Sequence, residues 1–174
     1  MGATVFSQVW KASDVYRLRG DLGDADRPVL RRSPAWSEDA SALYVDSLIN
    51  GFPLTPMVVQ TCRDARGKSR LRVLDGWQRV EAIVAFAEDH LRLPAGFVFH
   101  GEAWGGESVD AGGMTLSQVR ERYPYVARRF DTALIPVAHV KDDDAVLGEC
   151  VARLHGEGNC ATVNGKVVAN ERRR

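Results

Sequence analysis

The stretch Arg72-Val73-Leu74-Asp75-Gly76-Trp77-Gln78-Arg79-Val80-Glu81-Ala82 limits what this chain can fold into more than any other. A strand-type apolar run passes through one glycine straight into a helix-type run, so the two elements must meet with no loop between them. Downstream, Val80, Ile83, Val84, Ala87 and Leu91 share one face at helical spacing and Pro94 follows, which predicts a helix over residues 77–91. Upstream, residues 57–61 and 71–74 read as strands joined by a polar, Gly-containing turn over 63–68, and so as a hairpin.

The rest of the chain adds short elements of both kinds. Ser37 is placed to cap a helix ending near Asn50, with Glu38 and Asp39 in the first turn, where the helix dipole favours acids. Ala40, Leu43, Tyr44, Ser47 and Leu48 form its core-facing stripe, Gly51 suits a left-handed C-cap, and Pro53 and Pro56 prevent resumption. Near the N-terminus, Val5, Phe6, Val9 and Trp10 make an apolar patch, and Ser13 or Asp14 caps a brief helix to Leu18. Residues 20–27 read as a loop, 29–31 as an extended piece and 96–113 as a strand fragment plus a long loop. Thr115 caps a short helix over 115–122, residues 133–140 form a strand, Asp142 or Asp143 caps a helix through Leu154, and a last helical piece covers 163–173. The expected fold class is α+β, a small mixed sheet with flanking helices. An N-terminal helix and loop segment (1–28) and a main domain (29–174) make one compact unit.

Composition removes several function classes. In 174 residues no apolar run approaches the roughly 18 that a membrane span needs, and the charged-then-apolar layout of a signal peptide is missing, so no membrane partner is expected. Cys62, Cys150 and Cys160 form no CxxC pair and have no metal-ligand spacing, which fits reduced thiols in a cytoplasmic protein and speaks against zinc. The 23 basic residues are balanced by 23 acidic ones, which argues against coating nucleic acid by bulk attraction. Local basic clusters, Arg120-Glu121-Arg122 with Arg128-Arg129 and the tail Arg172-Arg173-Arg174, could track a nucleic-acid backbone, although solvated surface explains them more simply. Trp36 and Trp104 read as core or loop anchors before base-stacking platforms, and Asp142-Asp143-Asp144 reads as an acidic helix cap before a metal cluster.

The glycine junction carries the chemistry. A strand running directly into a helix leaves N–H groups of the first turn without intrahelical partners and places positive partial charge there, an arrangement that receives anions. Gly76 lets a phosphate approach closely, Arg79 adds a forked charged donor and Gln78 a neutral one. A structural explanation fits some of the same residues: Asp75 as N-cap with Gln78 three positions later makes a D-x-x-Q capping box. That box leaves Arg79 unexplained, because the dipole disfavours a cation in the first turn unless it faces a bound anion or a nearby carboxylate.

Arg32 with Trp36 four residues on, the segment Ser47-Leu48-Ile49-Asn50-Gly51-Phe52-Pro53-Leu54, and Val73-Leu74-Asp75-Gly76-Trp77-Gln78-Arg79 occur in an order typical of one family. The chain resembles the DUF262 family, the GmrS-type N-terminal domain within the ParB/sulfiredoxin-like superfamily, whose hallmark is DGQQR on a strand-to-helix turn. Near the C-terminus, Ala152-Arg153-Leu154-His155-Gly156-Glu157-Gly158 resembles the family's F-x-R-L-N-x-G segment. The resemblance implies nucleoside triphosphate binding, often with hydrolysis, in bacterial or phage systems that act on or police DNA. By position it assigns Asp75, Gly76, Trp77, Gln78 and Arg79 to the phosphates, with Asp75, Gln78 and Arg79 the catalytic set, and lets Arg32 reach the same pocket. Asp75 is the candidate Mg²⁺ ligand, and Trp36, Arg153 and His155 are further pocket residues. Two positions depart from the pattern: Trp77 replaces the family's glutamine and His155 its asparagine. No His-Asn-His nuclease motif is present, so a self-contained type IV restriction enzyme is not expected.

The expected function is thus a nucleotide-binding, slowly hydrolysing module of a DNA-related defence or counter-defence system. Its alternatives are a DNA-binding or protein-interaction module of the same fold, a homodimer included, and a metal-dependent nuclease acting through the same turn.

Overall fold

Thr4–Lys11 (β1) pairs antiparallel along its whole length with Leu134–Lys141 (β4), from Thr4 opposite Lys141 to Lys11 opposite Leu134. On its other side β4 runs parallel to Met57–Arg63 (β2), which pairs antiparallel with Ser69–Asp75 (β3), giving a mixed sheet in the order β1-β4-β2-β3. The β2–β3 hairpin is therefore as the sequence predicts. This computed structural model describes residues 4–22, 36–63, 67–101, 108–141, 161–163 and 166–168. The described residues contain five helices: Ala12–Leu18 (α1), Glu38–Asn50 (α2), Trp77–Ala87 (α3), Leu116–Arg122 (α4) and Pro124–Thr132 (α5). Two three-residue strands, Ala161–Val163 (β5) and Lys166–Val168 (β6), pair with each other; here extended pairing replaces the start of the helix expected over 163–173. Thr162, Val163, Val167 and Val168 are β-branched residues, which favour an extended backbone.

The main core lies between one face of the sheet and the helices. Met57, Val59, Val73, Ile135 and Val137 point toward α2, α3 and α5, whose Val45, Ile49, Ile83, Phe86 and Phe130 are buried against them. Their alternate neighbours Val58, Leu74 and Val140 form a smaller apolar cluster on the opposite face, as strand periodicity requires. One irregularity matters for the site. The β2–β3 register shifts between Val58 and Val59, so that Val58 faces Asp75 while Val59 faces Val73. Such a bulge bends the strand end and re-aims the residues that follow.

Helix ends follow local chemistry. Ser37 Oγ accepts from the Ala40 N–H at 3.2 Å, and Gly51 closes α2 at φ 71°, both as predicted. The buried stripe of α2 is rotated from the expected one: Ala42, Tyr44, Val45, Leu48 and Ile49 are buried, while Leu43 is 56% exposed. The cause is packing on two sides, against α3 and α5, which centres the buried arc on Val45 and Ile49. Thr115 caps α4, as expected, and does so in a reciprocal box with Gln118.

Three further expectations are corrected. The apolar patch near the N-terminus is the edge strand β1, running directly into α1. Residues 124–132 form a helix that the sequence reading left out, with Pro124 at its first position, where a missing N–H costs nothing. α3 ends at Ala87 and not at Leu91, because Asp89 takes a left-handed φ of 61° and the His90 and Leu91 N–H groups both bond Ala85 O. Leu91 is still buried, so the periodic signal reported burial beyond the helix's end. Among the described parts of 96–113 no strand occurs. The pieces expected over 29–31 and 142–154 lie outside the described residues.

Candidate functional site

The turn between β3 and α3 is built around Gly76. It adopts φ 99°, the left-handed region that L-residues avoid, and serves as N-cap of α3. A Cβ there would stand 2.8 Å from Met57 Cγ and 3.1 Å from Arg79 Nη1, so both conformation and space call for glycine. Gly76 O accepts from the Arg79 and Val80 N–H groups, and the cap residue itself, a glycine, has no side chain to offer the first turn. The Asp75–Gln78 capping box predicted from the sequence is therefore not formed. With glycine at the cap, Asp75 is the last residue of β3, opposite Val58, and its carboxylate turns to Arg79 instead.

Arg79 is the centre of the site. Its Nη1 donates to Pro56 O at 3.1 Å and lies 3.6 Å from Asp75 Oδ2, with the side chains 16% and 33% exposed. A carboxylate beside it accounts for a cation at the unfavourable end of the helix dipole. The fork is only partly engaged: Nε and Nη2 make no hydrogen bond to any described residue. A guanidinium has five N–H donors in a fixed plane, and this one is anchored through a single nitrogen.

Trp77 does not present its ring to the turn. The indole N–H donates to Glu81 Oε1 at 3.0 Å and the ring packs against the main core. Gln78 is half-buried, with its side-chain oxygen shielded from solvent. Trp36 stands just before α2, 37% exposed, and meets Tyr44 edge-on with ring centroids 5.6 Å apart.

Tyr44 is a buried phenol within electrostatic reach of the turn, a relationship that the sequence does not show. Burial pushes its hydroxyl up to about 12, and the positive charge of Arg79 acts in the opposite direction. Its presence in the core stripe was legible, and a buried phenol needs a partner for its polar end, but the pull of Arg79 on it depends on how α2 packs. The structure thus brings together Asp75, Gly76, Gln78 and Arg79 on one turn, while Trp36 packs on Tyr44 of α2. Arg32, Arg153 and His155 lie outside the described residues.

A single carboxylate fits Mg²⁺ held jointly with phosphate oxygens, the usual arrangement for that ion, and Asp75 supplies one. Among the described residues no group of three or more His, Cys, Asp or Glu side chains could hold a metal by itself. The basic cluster on α4 and α5 is partly tied down: Arg120 pairs with Asp131 at 2.9 Å, and Arg129 Nε donates to Ile49 O at 3.2 Å. His139 is buried, stacked on Phe6 and in contact with Thr61 Oγ1, a packed role and not a ligand's. No described helix is long and apolar enough to cross a membrane. In comparison with known proteins, the chain matches no family model, no curated protein and no solved structure.

Proposed function

We propose that this protein binds a nucleoside triphosphate at the β3–α3 turn and hydrolyses it slowly. On this reading it acts as a cytoplasmic sensing module of ParB/sulfiredoxin-like fold, in a bacterial or phage DNA-related defence or counter-defence system. The observation that carries the reading is Arg79: a largely buried guanidinium at a helix N-terminus, held through one nitrogen, with two nitrogens making no hydrogen bond to the described residues. Donors so arranged match the oxygens of a phosphate, and the N-terminus of α3 adds positive partial charge beside them.

Within this reading each residue has a distinct task. Gly76 holds the left-handed turn that sets Asp75 and Arg79 face to face. Arg79 orients the phosphate chain and balances its charge. Asp75 fixes the guanidinium and is the oxygen ligand on this chain for Mg²⁺. Gln78 is the neutral group able to orient a water. Mg²⁺, when bound with the triphosphate, neutralises charge on the phosphate oxygens.

One observation favours a second reading. Arg79 already has a carboxylate and a carbonyl for partners, so the pair also suits a structural clasp in a DNA-binding or protein-interaction module of the same fold. A thermal-shift screen of the four nucleoside triphosphates, with and without Mg²⁺, separates the two. Ligand at a hundred times its Kd stabilises the fold by about 2.7 kcal/mol, a readily measured rise in Tm. Arg79→Lys keeps the charge but loses the fork, and is expected to remove most of that rise with little change in the unliganded Tm. Silence across the panel, together with DNA affinity that Arg79→Lys weakens, would establish the second reading.

A further inference from the structure

Strand β1 lies at the edge of the sheet, and no described strand pairs with its free side. The backbone groups on that side follow from one bond. Ala12 N–H donates to Ala133 O at 3.0 Å, one step beyond the Lys11–Leu134 pair. Alternate pairs of an antiparallel ladder exchange bonds, and this register runs without a shift, so the even residues of β1 face β4 and the odd ones face away. Lys11 agrees: its N–H is taken by Asp14 Oδ2 at 3.3 Å, outside the ladder. Val5, Ser7 and Val9 therefore turn their N–H and C=O groups to the open edge. Residues 5–9 are all exposed, with Val5 at 57% and Val9 at 60%. They contain no proline, charge or bulge, the devices that keep strand edges from pairing.

We propose that this edge is the interface with a second copy of the chain: two β1 strands pair antiparallel about a two-fold axis at Ser7 and join the two four-stranded sheets into one. The sequence of β1 complements itself in that register. Val5 faces the partner's Val9, Ser7 faces the partner's Ser7, and Val9 faces the partner's Val5. Each of these pairs exchanges N–H and C=O bonds, so every open backbone group of the three residues is satisfied. Val5, Ser7 and Val9 lie on the sheet face of Val140, Ala138 and Pro136, their neighbours on β4, so the valine pairs continue the small apolar cluster of Val58, Leu74 and Val140 across the axis. On the helix face Phe6 meets the partner's Gln8. No like charges meet, because the nearest charged residue of β1, Lys11, falls outside the paired stretch. A two-fold contact closes on itself, so assembly stops at two copies. Asp75 ends β3 at the opposite edge of the sheet, so the pairing leaves the candidate site clear and does not depend on it.

Sedimentation equilibrium of the full chain tests it. The wild type is expected to pass from monomer to dimer between about 1 μM and 1 mM, as a small interface does, and to go no further. Ser7→Lys and Ser7→Glu each set like charges opposite one another on the axis, and each is expected to weaken the dimer by about fivefold or more. An equimolar mixture of the two variants is expected to recover it as a mixed dimer, because only a residue that faces itself across a two-fold axis turns two repelling copies into one attracting pair. Amide hydrogen exchange reads the same edge in the unaltered chain: the Val5, Ser7 and Val9 amides should slow as the protein is concentrated, while the Phe6 and Gln8 amides, already bonded to β4, should not change. A wild type that stays monomeric at about 1 mM, or assembles beyond two copies, overturns the proposal. So does a dimer that both variants leave at wild-type strength, a mixture that associates no better than its components, or exchange at the three odd residues that ignores concentration.

Discussion

Asp75 and Arg79 face each other across one turn of backbone, Oδ2 to Nη1 at 3.6 Å, with Gly76 between them in a left-handed conformation that a side chain would obstruct. Each depends on the other's placement. The glycine passes the N-cap position from Asp75 to itself, which releases the carboxylate to meet the arginine. The arginine in turn reaches back to Pro56 O and ties the start of α3 to the strand entering the hairpin.

The glycine is the least replaceable member of this arrangement. Gly76→Ala must either hold a positive φ or rotate the turn, and its Cβ would also press on Met57, which is fully buried. Left-handed geometry and crowding together are expected to cost about 2–4 kcal/mol. Urea unfolding followed by circular dichroism measures this. A loss below about 0.5 kcal/mol would show that the turn relaxes freely.

Asp75 makes opposite contributions to anion binding and to the metal. Its ion pair with Arg79 is partly exposed, so Asp75→Asn is expected to cost no more than about 1 kcal/mol of stability. Removing its negative charge should strengthen binding of inorganic tripolyphosphate in the absence of metal, while abolishing the gain that Mg²⁺ gives. Calorimetric titrations with and without Mg²⁺ report both effects. Unchanged Mg²⁺ dependence would assign the metal to another residue.

How much of this was legible depended on how local the determinant was. Ser37, Gly51 and the Thr115 cap are legible because a cap is a few adjacent residues with one stereochemical job. The Asp75–Gln78 box had the same pattern and was wrong, since the pattern does not show that the intervening glycine takes the cap. β1 was hidden because an edge strand with both faces partly open has no alternation: Val5, Phe6 and Val9 are all exposed. At the site, the motif itself was visible. The carbonyl of Pro56 lies 23 residues before Arg79, and the pull of Arg79 on the Tyr44 hydroxyl requires α2 to be packed, so neither is readable along the chain.

Phe86 and Phe130 give a measure of the core that supports the site. Both are buried and meet edge-on with centroids 5.0 Å apart, joining α3 to α5. Phe86→Ala is expected to lose about 3–5 kcal/mol through lost burial and the cavity left behind. Phe86→Leu should recover much of it, because volume is better conserved. Guanidinium unfolding midpoints for the pair of variants test the ordering. Equal losses would mean that the site collapses around either side chain.

Asp89 joins the end of α3 to the start of α4, and this gives the fold a pH dependence of its own. Its carboxylate accepts from the Ser117 hydroxyl and from the Ser117 N–H, the latter at 2.8 Å, and these bonds hold its pKa below the ordinary carboxylate value. A carboxyl whose pKa is lower folded than unfolded contributes stability at pH above its unfolded value, about 3.9. That contribution disappears as pH falls through the lower, folded value, because the protonated group no longer accepts both bonds. Asp89→Asn tolerates the left-handed φ of 61° nearly as well and still offers one acceptor oxygen, but it has no proton to gain. At pH 7 it is expected to cost about 1 kcal/mol, the usual value of a helix-capping bond. Between pH 6 and 3 the wild type should lose stability more steeply than the variant, so that their urea midpoints converge. Parallel midpoint curves over that range would place the acid sensitivity elsewhere in the chain.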